Sequence, residues 1–281
     1  MKKIFFSIFL SVMAVAANAQ ITTPQPSPAA ELHQTIGLSK AVVEYSRPSM
    51  KGRQVFGGLV PFGELWRLGA NASTKITFDQ DVQLAGKAVA KGKYALYAIP
   101  QKDKWTIVVH KNLTHWGTGY GKNRYDQAED LVRFDVPTQE TKTTWESFTI
   151  EFNNFKPTGA TLDILWENTM VSIPVTVETD KAVEASIAKA FDPKSKANDY
   201  FSAARYYFET EKDLSKAENW INEAVKLRTD AYWYFNLQAK ILAKNGKNKE
   251  AKKAAKTSLQ LAQNAGNSDY VKMNEALIKT L

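Results

Sequence analysis

Near residue 178 the spacing of apolar residues changes its period, and that change divides the chain into two architectures. From Leu32 to Val177 apolar residues recur at every second position, the mark of strands that bury one face. Thr74, Ile76 and Phe78 alternate with Ser73, Lys75 and Thr77, and Trp105, Ile107 and Val109 alternate with Thr106 and His110. Phe148, Ile150 and Phe152 continue the pattern, as do Val171, Ile173, Val175 and Val177. With Ala41–Ser46, Val82–Leu84, Tyr94–Ile99, Val132–Val136 and Leu162–Trp166 they make about nine strands. Ala85-Gly86-Lys87, Lys91-Gly92-Lys93 and Pro100–Lys104 read as the turns between them. Many short strands without interleaved helices predict an antiparallel β-sandwich or open barrel over residues 31–178.

After Glu178 the period is 3.6. Helices are expected over Lys181–Phe191, Pro193–Thr210, Lys216–Leu227, Ala231–Lys244, Asn248–Asn264 and Asp269–Thr280. Asp192-Pro193 reads as an N-cap with proline at the first helical position, and Ser215 to Glu218 as a capping box. Gly246 and Gly266 stand where helices end. Ala217 and Ala251 lie 34 residues apart, as do Phe201 and Phe235. That period resembles tetratricopeptide helical hairpins, with residues 179–197 as a linker and helix and 198–281 as the helical domain. Arg205 departs from the pattern, standing where Ala239 has its small counterpart. Two such units do not bury their apolar faces alone, since about three are normally needed. Flanking helices must cap the array, or it docks on the β domain, or a partner completes it.

The start of the chain sets the compartment. Lys2 and Lys3, the apolar run Ile4–Ala17 and the small residues of Ala17-Asn18-Ala19 form the pattern of a signal peptide cleaved after Ala19. The apolar run is shorter than the roughly 20 residues of a spanning helix, so an exported periplasmic or extracellular protein is expected rather than an integral membrane one. Residues 20–30 read as a flexible lead-in. The chain has no cysteine, which excludes disulfides, thiol nucleophiles and thiolate-bound zinc. Stability must come from burial, for which a 44% apolar composition suffices.

The net charge of +8 falls to +6 without Lys2 and Lys3, and the excess lies downstream. Lys240, Lys244, Lys247, Lys249, Lys252, Lys253 and Lys256 are opposed in that window only by Glu250. Spacings of 3, 4 and 7 place them on one side of each helix. The stripe is either a solvated face or a docking surface, with Lys240, Lys244, Lys247, Lys252 and Lys256 as candidates, for another envelope protein, an anionic polysaccharide or lipid head groups. Export disfavours nucleic acid.

The alternation stops in one stretch of the first domain, SRPSMKGRQVFGGLVPFGELWRLGAN, from Ser46 to Asn71. Arginine forks recognise carboxylates and phosphates, and glycines let a ligand approach the main chain. The stretch is therefore either a ligand site or an ordered plug whose arginines bond to carbonyls. Its run SRP-x-x-KGR, then FGGLVPFG-x-x-WR-x-GAN, together with the downstream GK-x-x-x-KGKYALYAIP and W-x-IVVHKN, resembles the exported bacterial family labelled domain of unknown function 2911. The resemblance covers Pro26 to Val177 and implies a β-rich domain, sometimes followed by helical repeats; it implies no activity and no cofactor. Arg47, Lys51, Arg53, Trp66, Arg67 and Asn71 match its signature and are the ligand-binding candidates, with Trp116 and Tyr120 from the loop Trp116–Lys122.

Signs of catalysis are few. Of the three histidines, His110 and His115 bracket Lys111–Thr114, a spacing fit for metal only if another ligand arrives from elsewhere, and surface positions are the plainer expectation. Gly117–Lys122 lacks the spacing of a phosphate loop, and no G-x-S-x-G elbow occurs. A glycosidase pair among Glu44, Glu64, Glu146 and Glu151 stays open, because sequence cannot place two carboxylates at the required separation. The leading reading is a non-catalytic binding or assembly protein of the envelope, with no metal. The alternative is a carbohydrate-binding protein or glycan hydrolase, in which Trp145 stacks on a sugar or else turns inward at a bulge.

Overall fold

The computed structural model describes residues 23–192 and 194–281. The expected signal peptide and Pro193 lie outside the described residues. Upstream of residue 178, nine strands form one antiparallel sheet. They are β1 (Ala29–Ile36), β2 (Ser39–Ser46), β3 (Thr74–Phe78), β4 (Val82–Leu84), β5 (Lys87–Val89), β6 (Gly92–Pro100), β7 (Lys104–His110), β10 (Asp130–Lys156) and β11 (Gly159–Val177). Two further strands, β8 (Gly119–Tyr120) and β9 (Asn123–Arg124), make a small hairpin of their own. The order in the main sheet is β1-β2-β3-β6-β7-β10-β11-β4-β5, so the sheet is open, with β1 and β5 at its edges.

The 27-residue β10 joins the two halves of the sheet. Asp130 to Pro137 pairs with β7, and Thr138 to Lys156 pairs with β11. The change of partner falls between Pro137 and Thr138, and register breaks between Glu140 and Trp145 and between Trp145 and Thr149 follow within the β11 ladder. The sheet thus folds over on itself, with β1 lying against β10 and β11, and one core takes side chains from all nine strands. Aromatics fill its centre. The Trp66 ring stacks on Trp166 at 5.8 Å and meets Trp105 edge-on at 5.8 Å, and Phe56 lies 4.9 Å from Trp105.

The alternating runs correspond to real strands, with four corrections. Val132–Val136 and Phe148–Phe152 are parts of one strand, as are Leu162–Trp166 and Val171–Val177, because bulges keep the ladder going between them. Of the residues read as turns, Lys87 begins β5, Gly92 and Lys93 begin β6, Pro100 ends it and Lys104 begins β7. The end of the lead-in, residues 27–30, is pinned rather than free: β1 begins at Ala29, the Ser27 carbonyl accepts from Asn71 Nδ2, and the Pro28 carbonyl accepts from the Arg47 amide. Trp116–Lys122, read as loop, contains β8.

Six helices follow: α1 (Thr179–Ala190), α2 (Ala197–Glu209), α3 (Leu214–Leu227), α4 (Tyr232–Lys244), α5 (Asn248–Asn264) and α6 (Ser268–Thr280). Consecutive helices from α2 to α6 pack on one another. Gly246 and Gly266 end α4 and α5 as expected: each has positive φ, and paired bonds such as Gly246 N–H to Ala243 O and Lys247 N–H to Leu242 O close the last turn. Two expected caps are corrected. Asp192 accepts from the Lys194 amide in a turn and α2 starts only at Ala197, while α3 is capped by Asp213, which accepts from Ser215 N and Lys216 N. The first helix of each hairpin matches at an offset of 35, since Ala204 and Ala239 are both fully buried and Glu211 occupies the left-handed position of Gly246. The second helices match at 34, through Ala217 and Ala251. Arg205 therefore breaks no pattern; the α2–α3 turn holds one residue more than the α4–α5 turn. A buried ladder, Asn236 Nδ2 to Asn274 Oδ1 at 2.9 Å and Asn274 Nδ2 to Ser258 Oγ at 2.8 Å, fastens α6 to α4 and α5.

The β domain meets the helices at the β1–β2 turn. Gly37 has φ +56°, and a Cβ there would lie 2.3 Å from Thr179 Oγ1 and 2.5 Å from the Pro157 carbonyl. A side chain at this position would both strain the turn and push α1 away.

Candidate functional site

Strands β6 and β7 are covered on both faces. Leu96, Ala98, Trp105, Ile107 and Val109 face the aromatic core, while Ala95, Tyr97, Val108 and His110 face outward beneath residues 111–126, whose Leu113 and Tyr125 pack on them. This second face forms a small polar chamber. His110, at the end of β7, and His115, in the covering segment, are 0% and 1% exposed, which corrects the expectation of surface histidines. Their rings stand 5.4 Å apart. A short 3-10 turn, Gln127–Glu129, ends where β10 pairs with β7, and this pairing carries Glu129 to the histidines. One donor atom from each of His110, His115 and Glu129 lies within 4.8 Å of the others.

Each histidine is held through Nδ1. His110 Nδ1 bonds Asp130 Oδ1 at 2.9 Å and His115 Nδ1 bonds the Tyr97 hydroxyl at 2.8 Å. Asp130 also accepts from the Tyr125 hydroxyl at 2.7 Å and from Arg133 Nε at 2.5 Å, so its carboxylate is fully engaged. Both Nε2 atoms are buried and have no hydrogen-bond partner. An unmet buried polar group costs about 1–3 kcal/mol. Burial, and then the neighbouring His110, push the His115 imidazole below its ordinary range; burial pushes the Tyr97 and Tyr125 phenols up.

The signature stretch divides into residues that bond to the surrounding fold and one, Arg67, whose guanidinium does not. Arg47 donates from Nε to Phe148 O at 3.1 Å and from a terminal nitrogen to Thr149 Oγ1 at 2.8 Å. Arg53 closes its own turn on Met50 O and Ser49 O at 2.8 and 2.7 Å. Lys51 has φ +50° and its amide donates to Glu146. Trp66 lies in the core with its indole N–H on Gly69 O, and Asn71 holds Ser27 and Ser46. Arg47, Arg53, Trp66 and Asn71 are thus engaged with the fold through their side chains, and Lys51 through its backbone only. Arg67 differs. Its half-buried guanidinium makes no hydrogen bond among the described residues, its Nε is fully buried, and burial lowers its pKa. It packs over Gly117, where a Cβ would come within 2.7 Å of it, and lines a cavity of about 230 Å³ with Leu59, Pro61, Glu64, Trp66 and Thr118. Beside it, Ser73 Oγ is also buried without a partner, and the Ser73 amide donates to the His115 carbonyl. Four of the five partnerless buried side-chain atoms among the described residues therefore belong to Arg67, Ser73, His110 and His115.

Trp116 and Tyr120 stand 60% and 76% exposed on the same covering segment. Trp145 is half-buried beside its bulge, Glu44 pairs with Lys93, and Glu146 and Glu151 accept from Lys51 N and Asn153. In the helices, the lysine stripe is divided. Lys244 and Lys247 bond Glu211 and Glu218 at 2.7 and 2.6 Å, and Lys240 is half-buried with its pKa lowered by that burial. Lys252 and Lys256 line an open groove with Lys249 and Lys253.

Fold and site together define a class: an open antiparallel β domain with a polar chamber on its outer face, carried ahead of a helical array. A family model described as protein of unknown function (DUF2911) matches residues 27–175. The chain belongs to that family. Comparisons with curated proteins and with solved structures gave no match. No helix among the described residues is long and apolar enough to cross a membrane.

Proposed function

We propose that this chain is an exported binding protein of the bacterial envelope, released after Ala19, whose β domain takes a small anionic ligand at Arg67. The observation that carries this reading is the guanidinium itself: half-buried, bonded to nothing, and lining a cavity. Other arginines of the stretch bond to carbonyls and a threonine hydroxyl, so a bare fork implies a missing acceptor. Carboxylate and phosphate are the groups that fit a planar fork, and a volume of about 230 Å³ sets a small ligand. The helices are read as two tetratricopeptide-like hairpins that dock a second envelope protein; α1 and α6 cap them, and Lys249, Lys252, Lys253 and Lys256 offer an acidic partner a positive groove.

Calorimetric titration of the purified chain with small carboxylates and inorganic phosphate tests the reading. Saturable binding is expected, reduced at least about tenfold in Arg67→Met and unchanged in Arg53→Met. Arg67→Met should unfold at the wild-type denaturant concentration or slightly above it, because it removes a desolvated charge with no partner. Loss of stability without any ligand binding by wild type would make Arg67 part of the plug. Binding of neutral sugars instead, abolished in Trp116→Ala, would move the function to the glycan reading that the two exposed aromatics favour.

A further inference from the structure

We propose that His110, His115 and Glu129 form a binding site for a divalent first-row transition ion, with zinc the best fit. The donor set is two imidazoles and a carboxylate, a set that zinc, and iron in its ferrous state, accept with one or more positions left open. Cysteine is absent from the chain, so any tight site for such an ion must be built from nitrogen and oxygen.

Three features distinguish this cluster from an ordinary buried polar network. The first is tautomer control. Asp130 engages His110 Nδ1 and is itself held by Tyr125 and Arg133, and Tyr97 engages His115 Nδ1. The Asp130 carboxylate can only accept, so it takes the Nδ1 proton of His110 and leaves that Nε2 its lone pair; the Tyr97 hydroxyl can accept from His115 Nδ1 in the same way when His115 Nε2 binds an ion, and partners of this kind are the usual outer shell of histidine ligands. The second is that both Nε2 atoms are buried and unpartnered, which a network folded for its own sake avoids. The third is distance. His110 Nε2 lies 3.6 Å from Glu129 Oε2, too far for a hydrogen bond and close to the roughly 3.4 Å that separates two donors at tetrahedral zinc. The whole set spans no more than 4.8 Å, so side-chain rotation of about 1 Å brings the donors onto one ion.

Glu129 is the exposed member, with its side chain 44% accessible and Oε2 also held by Asn112 Nδ2 at 3.2 Å. It marks the mouth of the chamber, and the open coordination position faces that side. The ion would fasten the covering segment, through His115, to β7 and to the start of β10.

Untagged full-length protein, stripped with a chelator, is titrated with Zn²⁺ by calorimetry and with Co²⁺ by visible absorption. One ion per chain is expected, with cobalt bands of a four- or five-coordinate nitrogen and oxygen site and a rise in thermal midpoint on zinc addition. His115→Gln and Glu129→Gln should each weaken uptake at least about tenfold, whereas His33→Gln, which removes a surface imidazole, should leave it unchanged. Glu129 is partly exposed and its replacement tests the site even if a buried histidine variant fails to fold. Absence of stoichiometric uptake by wild type overturns the proposal, as does uptake that survives both His115→Gln and Glu129→Gln. Either result leaves the Arg67 reading standing, because that ligand is titrated separately into metal-stripped protein from which the chelator has been removed.

Discussion

The sheet formed by β6, β7 and β10 buries both of its faces, and the two are built on different terms. One face carries Leu96, Ala98, Trp105, Ile107, Val109, Phe134 and Val136 into a core without charge. The other carries Tyr97, His110 and Arg133 into a chamber where Asp130 accepts from three different side chains and several donors and acceptors go unmet. An apolar face needs only volume and shape. A polar face must satisfy each atom, and where it does not, a protein gives up stability that a bound group could return. The difference separates what holds this domain together from what it was folded to do.

The contrast is sharpest at Trp105, which is fully buried between Phe56 and Trp66. Trp105→Ala should lower the free energy of unfolding by about 3–5 kcal/mol in urea titrations. A loss no larger than that of a chamber variant would erase the distinction between the faces. Asp130→Asn comes next. It keeps the shape but misplaces a donor against Arg133 and Tyr125, and should cost about 1–3 kcal/mol. If the variant is as stable as wild type, the chamber is not organised around that carboxylate.

The smallest effect belongs to the uncovered end of the same face. There Asp135 takes bonds from Lys104 Nζ at 2.6 Å and Thr106 Oγ1 at 2.7 Å, which hold its pKa below the ordinary 3.8. A depressed carboxylate stabilises the fold above its unfolded pKa and loses that contribution as pH falls through the folded value. Wild type should therefore lose slightly more stability between neutral pH and pH values below the ordinary carboxylate range than Asp135→Asn does. Equal acid losses in the two proteins would show that the pair is fully screened.

Much of this architecture was legible because periodicity reports a face buried against something uniform. Thr74, Ile76 and Phe78 declare a strand whatever lies beneath them, and the helix ends at Gly246 and Gly266 follow from local backbone geometry. The chamber was not legible in that way. Ile107-Val108-Val109 is a continuous apolar run, the signal of a strand covered on both sides, and it was read as simple alternation with His110 on the wet face. Even with that signal, the third donor could not be located. Glu129 reaches the histidines only because Asp130 pairs with His110 across β7 and β10, a long-range register that no local spacing displays. The arginines show the same limit. Arg47, Arg53 and Arg67 look alike in the chain, and only their partners assign them different roles: β10 brings Phe148 and Thr149 to Arg47, Arg53 closes on carbonyls of its own turn, and nothing accepts from Arg67 among the described residues.

Since β10 belongs to both halves of the sheet, those halves share a single spine. A break between Glu140 and Trp145 would part the stretch that pairs with β7, which carries Asp130 and Arg133 of the chamber, from the stretch that carries Phe148, Ile150 and Phe152 of the aromatic core. Chamber wall and aromatic core therefore share one continuous strand, and neither half of the sheet is complete without it.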